Sequence, residues 1–509
     1  MECNSDMIQF STVKEAMFDA GITLTTKDVT SLLLWRDLLS PIIKYNKIRP
    51  WQIINRIPYS NILCLKTPLS IILKESQSLF PSFYDFIPET FILPDEFELF
   101  EKELIRIKRE AEKKALSKST SQPEETEKSD EPSEIESTHS LDNIRPNNDS
   151  KNYPLNGRSN SWSAKDDSKA KCDIETEVEF FVKPSNGSLG NGIKIIQTGE
   201  LFDLNSFHNS FCGKSRSTDN QPQFTAVAQK YIRSHLIENT KFDLRIYVLV
   251  SSVEPFEIFV YRDGLARFCS MKSNCNSIFA RITNVTMNKR SFFYKEPDQI
   301  SRLISDVFDE NFTEEQQQKI WSEIDNLIVL TLFSSHRYLL KGVDQFLPNY
   351  YRFESDDVKY RKSKYFYSKC FQIFGFDILL RENDLKPFLI EVNYRPSLDF
   401  LRNCERRMKV EMIRDAIRIA APYRSFQDLV KARKWSWSLT LWEEELNSHQ
   451  ELFEKAYQLK KSAICESKYV RIWPFKSREI KENPEKYQSY VRILEKLDEL
   501  PIGQQIVRI

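Results

Sequence analysis

Apolar and polar positions alternate through the middle of the chain, and helical spacing dominates its flanks. From Lys241 to Ser252 (KFDLRIYVLVSS) the alternation runs long enough to predict an antiparallel strand. Phe256–Tyr261 is its expected hairpin partner, with Gly264–Phe268 continuing the sheet after a turn at Arg262–Gly264. Glu179–Lys183, Ile193–Ile196 and Thr225–Ile232 are short and apolar and read as further strands. Phe371–Leu380 and Leu385–Val392 form a last strand pair around the polar turn Arg381–Asp384. Phe97, Phe100, Leu104, Ile107 and Ala111 recur at helical spacing behind Asp95, an N-cap candidate, so a helix is expected from Glu96 to Leu116. Ile320, Ile324, Leu327, Ile328 and Thr331 share one face of a helix over Glu314–Lys341, and helices are expected from the last strand pair to the end of the chain.

One stretch has neither period. Ser117–Lys171 is rich in Ser, Glu, Asp, Asn and Pro, with few apolar residues, and reads as a disordered insertion. Elsewhere the chain has ample material for a core, at 40% hydrophobic and 12% aromatic residues. Lys+Arg and Asp+Glu balance at 73 each, so no global field selects nucleic acid or any other charged partner. The nine cysteines form no CxxC, which points to a reducing compartment. No signal peptide and no membrane-length apolar run is evident, and a soluble intracellular protein is expected.

Glycine changes the picture. Only 11 of 509 residues are Gly, yet Gly187, Gly190 and Gly192 crowd one loop behind Lys183 (KPSNGSLGNGI). A strand that delivers a lysine into such a loop suits a flap over nucleotide phosphates, because backbone N–H groups can then approach the ligand. A plain hairpin turn is the competing explanation. Gln229, Lys230, Tyr231 and Ile232 end a strand and can offer backbone groups to an adenine edge, although such strand ends are common. Lys241, Asp243 and Arg245 fall on one face of their strand by period two, which fits the wall of an anionic site or a solvated face. Arg267, Thr283 and Asn284 add donors downstream. Asp377, Glu391 and Asn393 lie on two neighbouring strands and form a hard-oxygen set suited to Mg²⁺, with a structural ion pair as the alternative.

In order, NILCLKTPLSIILK, PETFILP, FVKPSNGSLGNGI, VAQKYI, KFDLRIYVLV, GLARF, ITNVTMNK, FGFDILL and KPFLIEVNYRPSL resemble the tubulin tyrosine ligase-like family from about residue 45 to 420. The resemblance implies an α+β ATP-grasp fold, with antiparallel sheets flanked by helices and a helical C-terminal extension. It divides the chain into an N-terminal domain of the ligase core (1–116), the insertion (117–171), the central and C-terminal ATP-grasp domains (172–420) and the extension (421–509). It implies ATP and Mg²⁺ as cofactors. Lys66 and Lys183 would hold phosphates, Gln229 through Ile232 would form the adenine hinge, and Lys241 with Asp243 would bind the nucleotide beside Gly190 and Gly192. Thr283 and Asn284 would line the nucleotide side. Arg245 and Arg267 would sit where acyl phosphate and incoming amino acid meet, with Glu391 as a catalytic metal ligand beside Asp377 and Asn393.

The implied reaction joins a free amino acid to the acidic tail of tubulin. The element Tyr469–Pro474 and the segment Met412–Tyr423 (MIRDAIRIAAPY) resemble glutamylases, so glutamate is the expected amino acid. Tyrosine or glycine ligation, or a catalytically weak microtubule-binding relative, are the competing expectations. Two departures stand out. Asn191 separates Gly190 from Gly192 where many relatives place arginine, and neither Lys289 nor Lys295 matches the lysine that glutamylases carry for the incoming glutamate. The basic run Arg402–Lys434 is expected to present a surface that steers an acidic tail. A monomer is expected, in the cytoplasm and on the cytoskeleton, including cilium, flagellum or basal body, with no nucleic acid or membrane partner.

Overall fold

The computed structural model describes residues 1–27, 31–37, 45, 48–49, 52–119, 177–185, 187, 192–212, 225–347, 368–422 and 450–503. Residues 120–171 of the expected insertion lie outside that set, as do Gly190 and Asn191.

Three sheets organise the chain. The first joins β1 (Glu2–Asn4), β2 (Thr23–Thr25), β3 (Leu33–Leu34) and β4 (Ile53–Ile54) in the order β2-β1-β3-β4. All its pairings are parallel, unlike the antiparallel sheets expected from the sequence. Strands of two or three residues carry no readable alternation, and parallel pairing joins segments distant in sequence, so the pattern could not announce it.

The second sheet contains β5 (Thr90–Leu93), β6 (Val178–Pro184), β7 (Lys194–Gln197) and β8 (Ala226–Lys230), ordered β5-β8-β6-β7 and antiparallel. Leu93, Phe180, Val182, Ile196, Ala226 and Ala228 bury one face of it against Phe100 and Leu104 of the helix Phe97–Ser119. That helix begins and ends close to the limits its apolar spacing sets.

The third sheet is the largest. It is built from β9 (Leu236–Ile237), β10 (Thr240–Ser252), β11 (Glu257–Phe268), β12 (Ser301–Leu303), β13 (Gln372–Leu380), β14 (Pro387–Asn393) and β15 (Tyr469–Trp473). The path runs β12-β11-β10-β13-β14, with β9 added to β10 and β15 to β11. Every residue of β10 after Thr240 is buried, because both faces are covered. Leu244, Ile246, Val248 and Val250 pack towards the helix Glu314–Phe346, whose N-terminus carries a capping box made by Thr313 and Gln316. Tyr247 and Leu249 pack on the other side with Met408, Met412, Ile413 and Ala416 of the helix Asn403–Ala420.

Two expectations are corrected here. Arg262–Gly264 is no turn, because β11 continues unbroken to Phe268. Gly264 faces Ile246 in the ladder, and a Cβ there would stand 2.3 Å from the Arg245 carbonyl oxygen and 2.9 Å from Ile304 Cδ1. The glycine permits a close approach between strands and does not reverse the chain. Nor is the C-terminal extension wholly helical. β15 hydrogen-bonds antiparallel to Ile258–Tyr261 of β11, which makes residues 469–473 part of the central sheet.

Gly264→Ala is therefore expected to lower stability by roughly 1–3 kcal/mol. Urea unfolding of the variant beside the parent protein would measure it. An unchanged midpoint would show that the strands can part to admit a methyl group.

Candidate active site

Four adjacent strands bring charged side chains onto the face of the central sheet that meets the second sheet. Asp243 lies opposite Arg267 across β10 and β11, Arg245 opposite Asp377 across β10 and β13, and Asp377 opposite Glu391 across β13 and β14. Arg245 donates from Nε to Asp377 Oδ1 (2.5 Å) and from Nη2 to Oδ2 (3.0 Å). Arg267 donates to both Asp243 oxygens (2.7 and 2.6 Å) and approaches Asp377 Oδ2 at 2.8 Å. The Thr283 hydroxyl donates to Asp243 Oδ2 at 2.5 Å. Two carboxylates and two guanidiniums thus form a buried array of alternating sign, the arrangement in which buried charge is tolerated. Burial alone would raise the pKa of Asp377, but Arg245 and Arg267 outweigh it and hold the carboxyl below the usual carboxylate range.

Gly375 makes room for this array. A Cβ at that position would meet Pro396 Cβ at 2.8 Å and Arg245 Cδ at 3.1 Å.

Three lysines join this array, Lys241 from β10 and two from other elements. Lys183, on β6, donates to Gln229 Oε1 at 2.6 Å, and burial pushes its pKa down to about 8. Lys66 opens the helix Lys66–Leu79 and donates to the Gly187 carbonyl at 2.7 Å. The next backbone N–H of that helix, from Thr67, reaches Ser185 Oγ at 3.3 Å, so loop and helix terminus hold each other. Lys241 lies over the Tyr231 ring at 4.1 Å from its centroid.

Asn393 Nδ2 donates to Asp377 Oδ2 (3.3 Å) and to Glu391 Oε1 (3.2 Å), which draws two carboxylates and an amide together. Burial, and then the neighbouring Asp377, raise the Glu391 pKa above its ordinary value of 4.5. Like charges gathered in this way favour a cation, and the donors are the hard oxygens that suit Mg²⁺. Among the described residues no three His, Cys, Asp or Glu side chains converge on a metal position. A cation here would complete its shell with an amide oxygen and oxygens of a bound ligand.

Among the described candidates, every residue except Gly192 lines one cavity of about 830 Å³. Gly190 lies outside the described residues, and Gly192 adopts φ +79°. The Lys230 side chain turns outward to Glu89 at 3.1 Å, and Asn284 uses its amide oxygen to cap the helix Val285–Asn288. Several lining residues escaped the sequence reading, among them Phe10, Tyr247, Arg281, Glu405 and Lys409. Tyr247 was within reach, since the Lys241–Asp243–Arg245 row extends to it by one more step of two.

In the described part of the basic run Arg407 is exposed, and most of the other charges are paired or buried. Arg406 pairs with Glu15, Arg414 with Asp415 and Arg418 with Glu466, while Arg402 pairs with Asp298. Lys409 is buried at 3% exposure. Residues 423–434 of that run lie outside the described set.

A family model described as the tubulin-tyrosine ligase family matches residues 44–428. The chain belongs to that family. Tubulin polyglutamylase TTLL11 of Mus musculus is 27% identical over 415 residues, which cover 75% of this chain and 44% of the relative. Tubulin polyglutamylase TTLL7 of Homo sapiens is 26% identical, covering 81% of this chain and 37% of the relative. Tubulin polyglutamylase ttll6 of Danio rerio is 24% identical, covering 80% and 41%. The chain spans less than half the length of these curated relatives. No described helix is long and apolar enough to cross a membrane.

Because the folded-state pKa of Glu391 lies above its ordinary 4.5, the group favours folding at low pH, and that contribution falls as pH rises through the raised value. Glu391→Gln removes this penalty. Without nucleotide, the variant is expected to be more stable than the parent by about 1 kcal/mol near pH 7. Its advantage should shrink towards pH 4.5 in thermal melts across the range. An advantage independent of pH would remove Glu391 ionisation as its source.

Proposed function

We propose that this chain is an ATP-dependent ligase that adds glutamate to the acidic tails of tubulin. The supporting observation is the single cavity where three lysines, two arginines and the Asp377–Glu391–Asn393 set face one another. Membership of the family and the printed names of the relatives agree with it.

In this reading Lys66, Lys183 and Lys241 hold the phosphate chain of ATP. Lys66 and Lys183 rest on neutral oxygens of Gly187 and Gln229, which a phosphate can replace with a stronger charge-assisted partner. Gln229 to Ile232 face the purine. The backbone N–H groups of Lys230 and Tyr231 are already donated to Glu89 and Glu179, so recognition of the base edge falls to Ile232 N–H and the carbonyls. Asp377, Glu391 and Asn393 would hold Mg²⁺, which when bound neutralises charge on the phosphate oxygens.

A carboxylate is a poor electrophile and must first be activated. A tail carboxylate oxygen attacks the γ-phosphorus, the bond to the β,γ-bridging oxygen breaks, and ADP leaves. The neutral amine of the incoming amino acid then adds to the acyl carbon, loses a proton and expels phosphate. Arg245 and Arg267, fixed by Asp243 and Asp377, present positive charge where the tetrahedral oxyanion develops. The chain supplies binding, orientation and charge, and no protein nucleophile takes part.

The test is incubation with ATP, Mg²⁺, tubulin and labelled glutamate, glycine or tyrosine in turn. Label is expected from glutamate alone. Glu391→Gln and Lys183→Ala are each expected to reduce it by roughly 100-fold or more. Label from glycine or tyrosine instead would reassign the amino acid. Absence of label from all three, with microtubule binding retained, would favour a non-catalytic binding member of the family.

A further inference from the structure

The helix Phe97–Ser119 turns one line of bases away from the surface it packs against. Phe100 and Leu104 seat it on Phe180 and Val182 of the second sheet. Lys102, Arg106, Arg109 and Lys113 follow one another at spacings of four, three and four residues, and all are exposed. At about 100° per residue they share one stripe, nearly opposite Phe100, Leu104 and Ile107. The stripe runs for about 16 Å along the helix. Acids keep to its flanks, with Glu101 and Glu112 on one side and Glu103 and Glu110 on the other. Arg106 is tied to Glu103 (2.6 Å) and Glu110 (2.5 Å). Lys102, Arg109 and Lys113 make no ion pair with another described residue. Leu99 and Ile105 stand at the edges of the stripe and are 54% and 37% exposed.

A helix face that is merely solvated gains by setting opposite charges three or four residues apart. Along this stripe each such neighbour has the same sign: Lys102 with Arg106, Arg106 with Arg109, Arg109 with Lys113. Repulsion of this kind costs helix stability and is relieved when anionic groups lie along it. An extended polypeptide rises about 3.3 Å per residue, so roughly five residues rich in Asp and Glu would span the stripe. That segment is not the one whose carboxylate reacts. Phe181 and Lys183 alternate with Phe180 and Val182 and line the cavity from the opposite face of the same strand. A strand layer and the whole helix, about 10 Å across, therefore separate stripe from cavity. The partner must carry a second acidic segment, as a polymer with a tail on every subunit does.

We infer that this stripe docks a second acidic tail of the polymerised substrate while the first occupies the cavity. The inference rests on the ligase reading above and names the surface by which the protein holds a polymer in preference to a lone tail. Two linked contacts raise the local concentration of tail at the cavity with no change in the cavity itself. Arg402, Arg406, Arg414 and Arg418 are already paired with acids, so electrostatic steering falls to this helix.

The experiment uses the full chain and compares the parent with the triple variant Lys102→Glu, Arg109→Glu, Lys113→Glu. Two single variants, Arg109→Glu and Lys108→Glu, change net charge equally, but Lys108 lies off the stripe by about 100° round the helix. Microtubule affinity is measured by co-sedimentation at low and high salt. The KM for glutamate incorporation is measured with microtubules and with an isolated tail peptide. The triple variant is expected to bind microtubules roughly 10-fold more weakly at low salt, with the difference shrinking at high salt. Arg109→Glu should weaken binding about threefold, and Lys108→Glu less. The microtubule KM should rise in step, while the peptide KM stays within about twofold of the parent. All the substituted side chains are exposed, so a melting temperature close to that of the parent serves as the folding control. Equal microtubule affinity in the parent and the triple variant overturns the inference. So does an equal effect of Lys108→Glu and Arg109→Glu, which would reduce the stripe to net charge, or a peptide KM that rises as far as the microtubule KM. Loss of binding to RNA or to anionic vesicles, with microtubule affinity kept, would assign the stripe to another partner and overturn it as well. No label from the parent, with microtubule affinity lost in the triple variant, would sink the ligase reading and leave the stripe. Label from the triple variant at unchanged microtubule KM would do the reverse.

Discussion

Asp243, Arg267, Asp377 and Arg245 form an open circuit of alternating charges inside the protein, and much of the surrounding architecture follows from it. None of these groups could be buried alone. Each is matched by a residue on the adjacent strand, so the register of β10 against β11 and β13 is also the register of the charges. A slip of one residue would send every member to the other face, among Leu244, Ile246 and Val248. Gly264 and Gly375 mark where this tight arrangement leaves no room for a side chain. The two arginines are therefore oriented before any substrate arrives.

Glu391 stands outside that circuit. Asn393 bridges it to Asp377, but no arginine balances it, and its raised pKa records the imbalance. The central sheet is thus electrostatically settled on its arginine side and unsettled on its Glu391 side, where Lys66 and Lys183 approach. Stability and chemistry are divided between neighbouring strands.

Much of this was legible in the sequence because period two is a strong signal in a long strand. Lys241, Asp243 and Arg245 could be placed on one face, and Asp377, Glu391 and Asn393 on neighbouring strands, from spacing alone. The chain also yielded the helices Phe97–Ser119 and Glu314–Phe346 within a few residues. What stayed hidden has physical reasons. β1 to β4 are too short to show alternation, and their parallel partners are distant in sequence. Lys409 looked like one charge in a basic run, although it shares a helix face with Glu405, Met412 and Ala416 and is buried with them. Ionisable residues at helical spacing read as solvent-facing until tertiary packing covers them. Gly264 resembled a turn because glycine marks reversals and close strand contacts alike.

β15 separates two descriptions of the molecule that are easily confused. The match to the family model ends at residue 428, whereas the sheet that carries the charged groups of the cavity is completed at residues 469–473. On a ribosome, Ile258–Tyr261 of β11 would wait as an open edge while about two hundred further residues were made. Such an edge invites pairing with another chain. The end of that match and the boundary of cooperative folding fall in different places, and a fragment cut at the first would leave the central sheet with an unprotected side.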